Sequence, residues 1–231
     1  MKDGKKLSSS EMLKLGDKFY FGNEVERNFE KAFEWYLKAA EKGEPSAISQ
    51  VCLMYYTGVG TELNYKKAFE WTERALRNHA DFLSRYIRAE IYFYGEGDVP
   101  KNYFKALNLY RGVAKTEVNS AAMFRVAEIY EFGGYGVGVN ELLSLAYYSA
   151  SAKYGNVSAM NKLGSLYENG IIVDKNYELA VDWYTLAAED GSSFAEERLT
   201  KLKGVVDCKR DVETLKNKLL TRSPIFAWRL P

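Results

Sequence analysis

Along most of the chain apolar residues return three and four positions apart, in runs opened by asparagine and closed by glycine. Leu163-Gly-Ser-Leu-Tyr-Glu-Asn-Gly170 puts Leu163, Leu166 and Tyr167 on one face of a helix. Gly164 adds little bulk to that face, so a neighbouring helix can come close. A second helix begins at Asn176, whose side-chain oxygen is placed to accept from an orphan backbone N–H. It carries Ala180, Trp183, Tyr184, Ala187 and Ala188 at helical spacing and stops at Gly191. Neither helix can bury its apolar face alone, so the pair predicts more pairs.

They are present. The glycine after the first helix recurs as Gly22, Gly58, Gly95, Gly133 and Gly170, at spacings of 36, 37, 38 and 37. An asparagine precedes each second helix, at Asn28, Asn64, Asn102, Asn140 and Asn176, and four residues later come Ala32, Ala68, Ala106, Ser144 and Ala180. Five returns in register define a repeat protein.

Leu15-Gly-Asp-Lys-Phe-Tyr-Phe-Gly22 followed by Lys31-Ala-Phe-Glu-Trp-Tyr-Leu-Lys-Ala-Ala-Glu-Lys-Gly43 resembles the Sel1-like repeat, a relative of the tetratricopeptide repeat. The resemblance covers roughly residues 11–195. Departures gather in the middle: Cys52 for the helix glycine and His79 for the terminal glycine of repeat two, Arg88 for the leucine and Glu117 for the terminal glycine of repeat three, Ser144 for the alanine of repeat four. The implied fold is an all-α, right-handed α-solenoid of about five helix-turn-helix repeats, a single elongated array. The expected boundaries are 9–44, 45–80, 81–118, 119–156 and 157–195, after a disordered lead-in at 1–8 with Ser8, Ser9 or Ser10 as first cap. Residues 196–231 read as a C-terminal helical cap and an apolar tail. In the cap, Glu196 to Lys203 and Arg210 to Leu220 are expected helices. In the tail, Phe226 and Trp228 either fold back on the last helices or dock another protein.

Composition narrows the function. Lys plus Arg is 32 against 31 Asp plus Glu, so the net charge of +1 offers no general nucleic-acid or anionic-membrane surface. No apolar run approaches membrane-spanning length and no secretory signal opens the chain, which leads us to expect a cytoplasmic protein. Two cysteines, Cys52 and Cys208, make no disulfide framework and fit a reducing compartment.

Chemistry-bearing motifs are scarce. His79 is the single histidine and reads as a helix-end or surface residue, Cys52 as a buried thiol, and Cys208 as incidental. Two cysteines and one histidine without local spacing make no zinc site, and no metal or cofactor is expected. The stretch Gly133-Gly-Tyr-Gly-Val-Gly138 lacks the Lys and Ser/Thr of a phosphate loop and reads as a flexible interhelical loop. Glu128 and Glu131, three apart, read as solvated surface rather than an acid/base pair.

The family resemblance places a concave surface on the first helices. Carried onto this chain, its inner positions are Leu13, Asp17, Tyr20 and Phe21; Ser49, Leu53, Tyr56 and Thr57; Tyr86, Glu90, Phe93 and Tyr94; Phe124, Glu128, Glu131 and Phe132; and Asn161, Ser165, Glu168 and Asn169. The partner-binding set drawn from them is Asp17, Tyr20, Phe21, Tyr56, Tyr86, Glu90, Phe93, Tyr94, Phe124, Glu128, Glu131 and Phe132. An aromatic, acidic groove implies a non-enzymatic adaptor or scaffold holding a peptide or protein that presents Lys or Arg, itself a monomer or weak dimer. The alternatives are an immunity protein neutralising a cognate toxin and, by analogy with Cys-rich relatives, a β-lactam-binding hydrolase. The missing cysteine pairs and nucleophile–base set weigh against the last.

Overall fold

The computed structural model of the chain describes residues 7–77, 81–206 and 212–221. The helices come in pairs. They are α1 Ser9–Phe21 and α2 Phe29–Glu41, α3 Pro45–Thr57 and α4 Tyr65–Arg77, α5 Phe82–Tyr94 and α6 Tyr103–Glu117. α7 Ser120–Phe132 and α8 Glu141–Lys153, then α9 Val157–Asn169 and α10 Tyr177–Glu189, follow. α11 Ser193–Leu202 and the short α12 Val212–Leu215 complete the order, the latter running into a π-helical stretch Lys216–Thr221. The fold is all-α, of the Sel1-like solenoid class, with no strand among the described residues.

All five repeat asparagines cap as their position requires. The Oδ1 atoms of Asn28, Asn64, Asn102, Asn140 and Asn176 accept from backbone N–H groups three residues on, at 2.8–3.0 Å. Each asparagine's own backbone N–H then donates back to the first helix, to the carbonyls of Phe19, Tyr55, Tyr92, Tyr130 and Tyr167. One residue type thus opens the second helix and ties it to the first. Ser8 caps α1 in a capping box with Glu11, and Pro45 occupies the first turn of α3.

The chain divides into two compact units, residues 1–109 and 110–231. In unit one, α2 packs on α1 and α3, and α5 on α3 and α4. Its core runs through Tyr36, Ile48, Val51, Cys52, Met54, Ile87 and Ile91. A Cβ on Gly16 would lie 2.4 Å from the Tyr36 ring, and one on Gly164 in unit two 2.6 Å from the Tyr184 ring. Glycine in the first helix therefore lets the tyrosine of its own second helix lie across it. Repeat two reverses the sizes, with Cys52 in the glycine slot and Thr72 in the tyrosine slot. Arg88 reaches in from α5, donating to Thr72 Oγ1 at 3.0 Å, pairing with Glu73 and stacking 4.1 Å from the Phe69 ring. Arg88, one of the departures noted in the sequence, thus bonds to the small residue that stands in the tyrosine slot.

In unit two, α8 packs on α7 and α9, and α10 on α9, α11 and α12. The C-terminal segment lies on α10 with Leu215 and Leu219 buried, and Lys218 Nζ meets the buried Asp182 carboxylate at 2.6 Å. The loop of repeat four departs from expectation. Gly133 to Gly138 is a tight turn, not a flexible loop. Gly134 and Val137 exchange both backbone hydrogen bonds, at 2.7 and 3.0 Å, around Tyr135 and Gly136 at φ +48° and +92°. Positive φ at both central residues is the type I′ geometry that closes a two-residue hairpin.

Candidate functional site

The first-helix surface of unit one is carried by α1, α3 and α5. Asp17 is half-buried, and its Oδ1 accepts from the Tyr36 hydroxyl at 2.8 Å. Burial, then this carboxylate, push the Tyr36 phenol far above its ordinary value. Tyr20 meets Phe21 and Phe29 edge-on, with centroids 5.1 and 5.2 Å apart, while Phe21 itself is 64% exposed. On α3, Tyr56 packs edge-on against Tyr65 at 5.5 Å and its hydroxyl points to Glu90 Oε2 at 3.5 Å. Burial and the Glu90 charge raise this phenol too. Ser49 is buried and shares a 2.9 Å hydrogen bond with Ser84, while Leu13 and Leu53 are half-buried and Thr57 exposed. On α5, Tyr86 is half-buried and Tyr94 is 43% exposed. Glu90 and Phe93 are buried, and Phe93 stacks on Tyr103 at 5.1 Å.

In unit two the surface is carried by α7, α9 and α11. Phe124 is half-buried, 5.4 Å from the Tyr148 ring. Glu128 pairs with Arg125 at 2.8 Å on its own helix. Glu131 accepts from the Tyr148 hydroxyl at 2.6 Å and pairs with Lys162 of α9 at 2.7 Å. Burial, reinforced by Glu131, raises the Tyr148 phenol strongly. Glu168 repeats the arrangement. It accepts from the Tyr184 hydroxyl at 2.8 Å and from Arg198 Nε of α11 at 3.1 Å, with a second guanidinium nitrogen on its other oxygen. Asn161 exchanges hydrogen bonds with Ser192, and the exposed Asn169 donates to the carbonyl of the half-buried Ser165. Phe132 is 63% exposed, with Lys162 Nζ 5.7 Å from its ring centroid.

The surface is therefore less acidic than its sequence. Asp17, Glu131 and Glu168 accept from the second-helix tyrosine of their own hairpin, and the last two also hold a base from the next repeat. A partly desolvated carboxylate needs such donors, which is why the acids sit where tyrosines can reach them. Glu90 and Phe93 support the surface from below rather than present it. What stands out are Phe21, Tyr94 and Phe132, each immediately before its turn glycine and therefore in one register slot. The residues missed in the sequence are Tyr36, Tyr148, Tyr184, Lys162 and Arg198. Their signal is a tyrosine eight residues after the capping asparagine, and a base about one repeat beyond the acid.

Catalytic groups do not gather here. Burial pushes the Cys52 thiol up to about 12, opposed in part by its hydrogen bond with Ser84, so it is protonated at neutral pH. Among the described residues no cluster of three or more His, Cys, Asp or Glu could hold a metal, and no helix is long and apolar enough to cross a membrane. His79, Cys208, Phe226 and Trp228 lie outside the described residues.

Comparison with known proteins completes the site. Chitin synthase regulatory factor 2 of Schizosaccharomyces pombe is 30% identical over 173 residues, covering 71% of this chain and 34% of its own length. Factor 3 of the same yeast is 31% identical over 175 residues, covering 74% and 19%. The chain thus spans about a third or less of the length of these relatives. Among solved structures, c5321, a protective antigen of uropathogenic Escherichia coli with an SLR fold, matches with TM-score 0.72 at 33% identity, covering 86% of this chain and 42% of that one. A Sel1 repeat protein from Oxalobacter formigenes matches with TM-score 0.75 at 27% identity, covering 91% and 85%. The Sel1 repeat itself matches residues 12–44, 45–78, 83–111, 120–156 and 157–192. With the pattern found in every hairpin, the chain belongs to the Sel1 repeat family, a family of protein-interaction modules.

Proposed function

We propose that this chain is a non-enzymatic adaptor that holds a protein or peptide segment on its first-helix surface. The observation that carries the reading is the slot before the turn glycine. Phe21, Tyr94 and Phe132 occupy it with 64%, 43% and 63% of their surface exposed, although the residue just before each is half-buried or buried. Large rings with few rotors are efficient anchors once a partner covers them. Tyr20, Tyr56, Tyr86 and Phe124 extend the apolar area within each unit. Because the inner acids already hold tyrosines or bases, the partner is chiefly apolar. The yeast relatives are named as regulatory factors, which supports a role exerted through another protein. A free, buried Cys52 agrees with a reducing compartment such as the cytoplasm.

The test is site-resolved photo-crosslinking. A photoreactive phenylalanine replaces Tyr94 or Phe132 and, as control, the exposed Glu34 on α2. Adducts formed from the first two positions and not from Glu34 agree with the reading. Adducts from Glu34 alone place the partner on the second helices and overturn it.

A further inference from the structure

At one rim of unit one, α2 and α4 end and α3 begins. A cavity of about 240 Å³ lies there, lined by Ala40, Glu41, Gly43, Ile48, Arg74 and Arg77. Its apolar lining is already buried, with Ala40 and Ile48 3% and 1% exposed. The rest is charged. Arg74 and Arg77 stand three apart on α4, where side chains are neighbours, and both are exposed. Neither makes an ion pair with Glu41 or with any other described residue.

Register explains why the space is open. Arg74 falls ten residues after its capping asparagine, and in repeat five that slot is Leu186, 1% exposed. The slot of Ile48, fourth in its helix, is Met160 there, 3% exposed. A guanidinium cannot take leucine's buried place without a partner. Arg74 turns outward instead and lies over the Trp71 ring, 4.4 Å from its centroid. Stacking holds the guanidinium by its face and leaves the N–H groups of its edge free to donate. A helix C-terminus favours bases in its last turn, which accounts for the two charges but not for the cavity beside them.

We propose that this cavity binds a carboxylate carried on a short apolar stem. Two guanidinia in one lining suit a planar carboxylate, which takes paired N–H donors from an arginine fork. Glu41 in the same lining leaves one positive charge in excess. A single carboxylate neutralises that charge, and a phosphate dianion exceeds it. The stem lies against Ala40 and Ile48. The volume is that of about eight waters at roughly 30 Å³ each, room for the carboxylate and a few carbons. The carboxylate can end a chain or belong to an acidic side chain, and the two sources share this chemistry.

Heteronuclear NMR of the full chain tests this through the arginine Nε–Hε signals. N-acetylalanine stands for a chain terminus, N-acetylglutamic acid α-amide for an acidic side chain, and N-acetylalanine amide is the uncharged control. Arg74→Leu, which installs the residue of repeat five and so retains the fold, and Arg77→Gln are measured beside wild type, with a thermal melt on each. The expected result is saturable movement of the Arg74 and Arg77 signals by at least one carboxylate and none by the amide. The dissociation constant rises at least tenfold in both variants, with melting unchanged or higher. Whichever carboxylate binds tighter identifies the source. Signals that neither carboxylate moves, or that the amide moves equally, overturn the proposal, as does binding that both variants keep. Inorganic phosphate binding as tightly as either carboxylate overturns the choice of ion. No anchor of the first-helix surface lines the cavity, so crosslinking from Tyr94 is separate from either result.

Discussion

Ser144 and Ser151 lie about two turns apart in α8, both fully buried, and the same substitution is expected to have opposite signs at the two. Ser151 Oγ donates to the Ser120 carbonyl at 2.7 Å, whereas Ser144 Oγ has no hydrogen-bond partner among the described residues. The slot of Ser144 holds alanine in the other four repeats, each as fully buried. An unsatisfied buried hydroxyl costs about 1–3 kcal/mol, and alanine gains roughly 0.5 kcal/mol of helix propensity over serine. Ser144→Ala therefore stabilises by about 1–2 kcal/mol. Ser151→Ala removes a made bond worth about 1 kcal/mol, offset in part by helix propensity, so it destabilises by up to about 1 kcal/mol net. At roughly 2–4 °C per kcal/mol for a chain of this size, Ser144→Ala raises the melting temperature by about 4 °C and Ser151→Ala lowers it by about 2 °C. Circular dichroism melts and urea titrations of both variants, at one protein concentration, decide the matter. Equal effects, or a Ser144→Ala that melts below wild type, would refute the claim that this hydroxyl is buried without a partner.

Three further outcomes are expected. Ile172 holds φ +68°, a region costing a β-branched residue about 1–2 kcal/mol; Ile172→Asn should stabilise by about 1 kcal/mol, seen as a higher urea midpoint at constant slope. Arg198 is 28% exposed and Glu168 9%, so Arg198→Met leaves a largely buried carboxylate without its cation. A loss of about 2 kcal/mol follows, below the range for fully buried pairs, and adding Glu168→Gln should recover more than half of it in a double-mutant cycle. For Cys52 the folded thiol stays protonated to about pH 12 while the unfolded thiol ionises near its ordinary 9.0. The unfolded state then binds fewer protons, so this group's contribution to stability is intact below pH 9 and falls between about 9 and 12. Cys52→Ala should flatten that part of the profile, and peptide mapping after alkylation at pH 8 should find Cys52 unmodified until the protein is unfolded.

The hairpins were legible because their signals are local. An asparagine cap, an apolar row at helical spacing and a stop glycine all fall within about 35 residues, and the structure follows them in every repeat. The turn of repeat four was not legible as rigid: four glycines and a tyrosine read as looseness, and only the Gly134–Val137 hydrogen bonds show that positive φ is being used to close a hairpin. The inner acids were misread for a different reason. Glu131 and Glu168 look solvated along one helix, but Lys162 and Arg198 stand about one repeat further on, and Tyr148 and Tyr184 arrive from the paired helix. Glu90 and Phe93 sit in slots that the family resemblance makes inner positions, yet they are buried, Phe93 beneath Tyr103. Tyr94 and Phe132 fall one residue later on the helix and emerge.

The most direct test of the first-helix surface is affinity capture from native lysate with wild type and a Phe21→Ser, Tyr94→Ser, Phe132→Ser variant, each side chain already exposed. Helix content and melting are recorded on both, and captured proteins are quantified by mass spectrometry. The account predicts that a protein enriched by wild type is lost from the variant while the two melt alike. A variant that melts alike and keeps the same partner at the same level contradicts it.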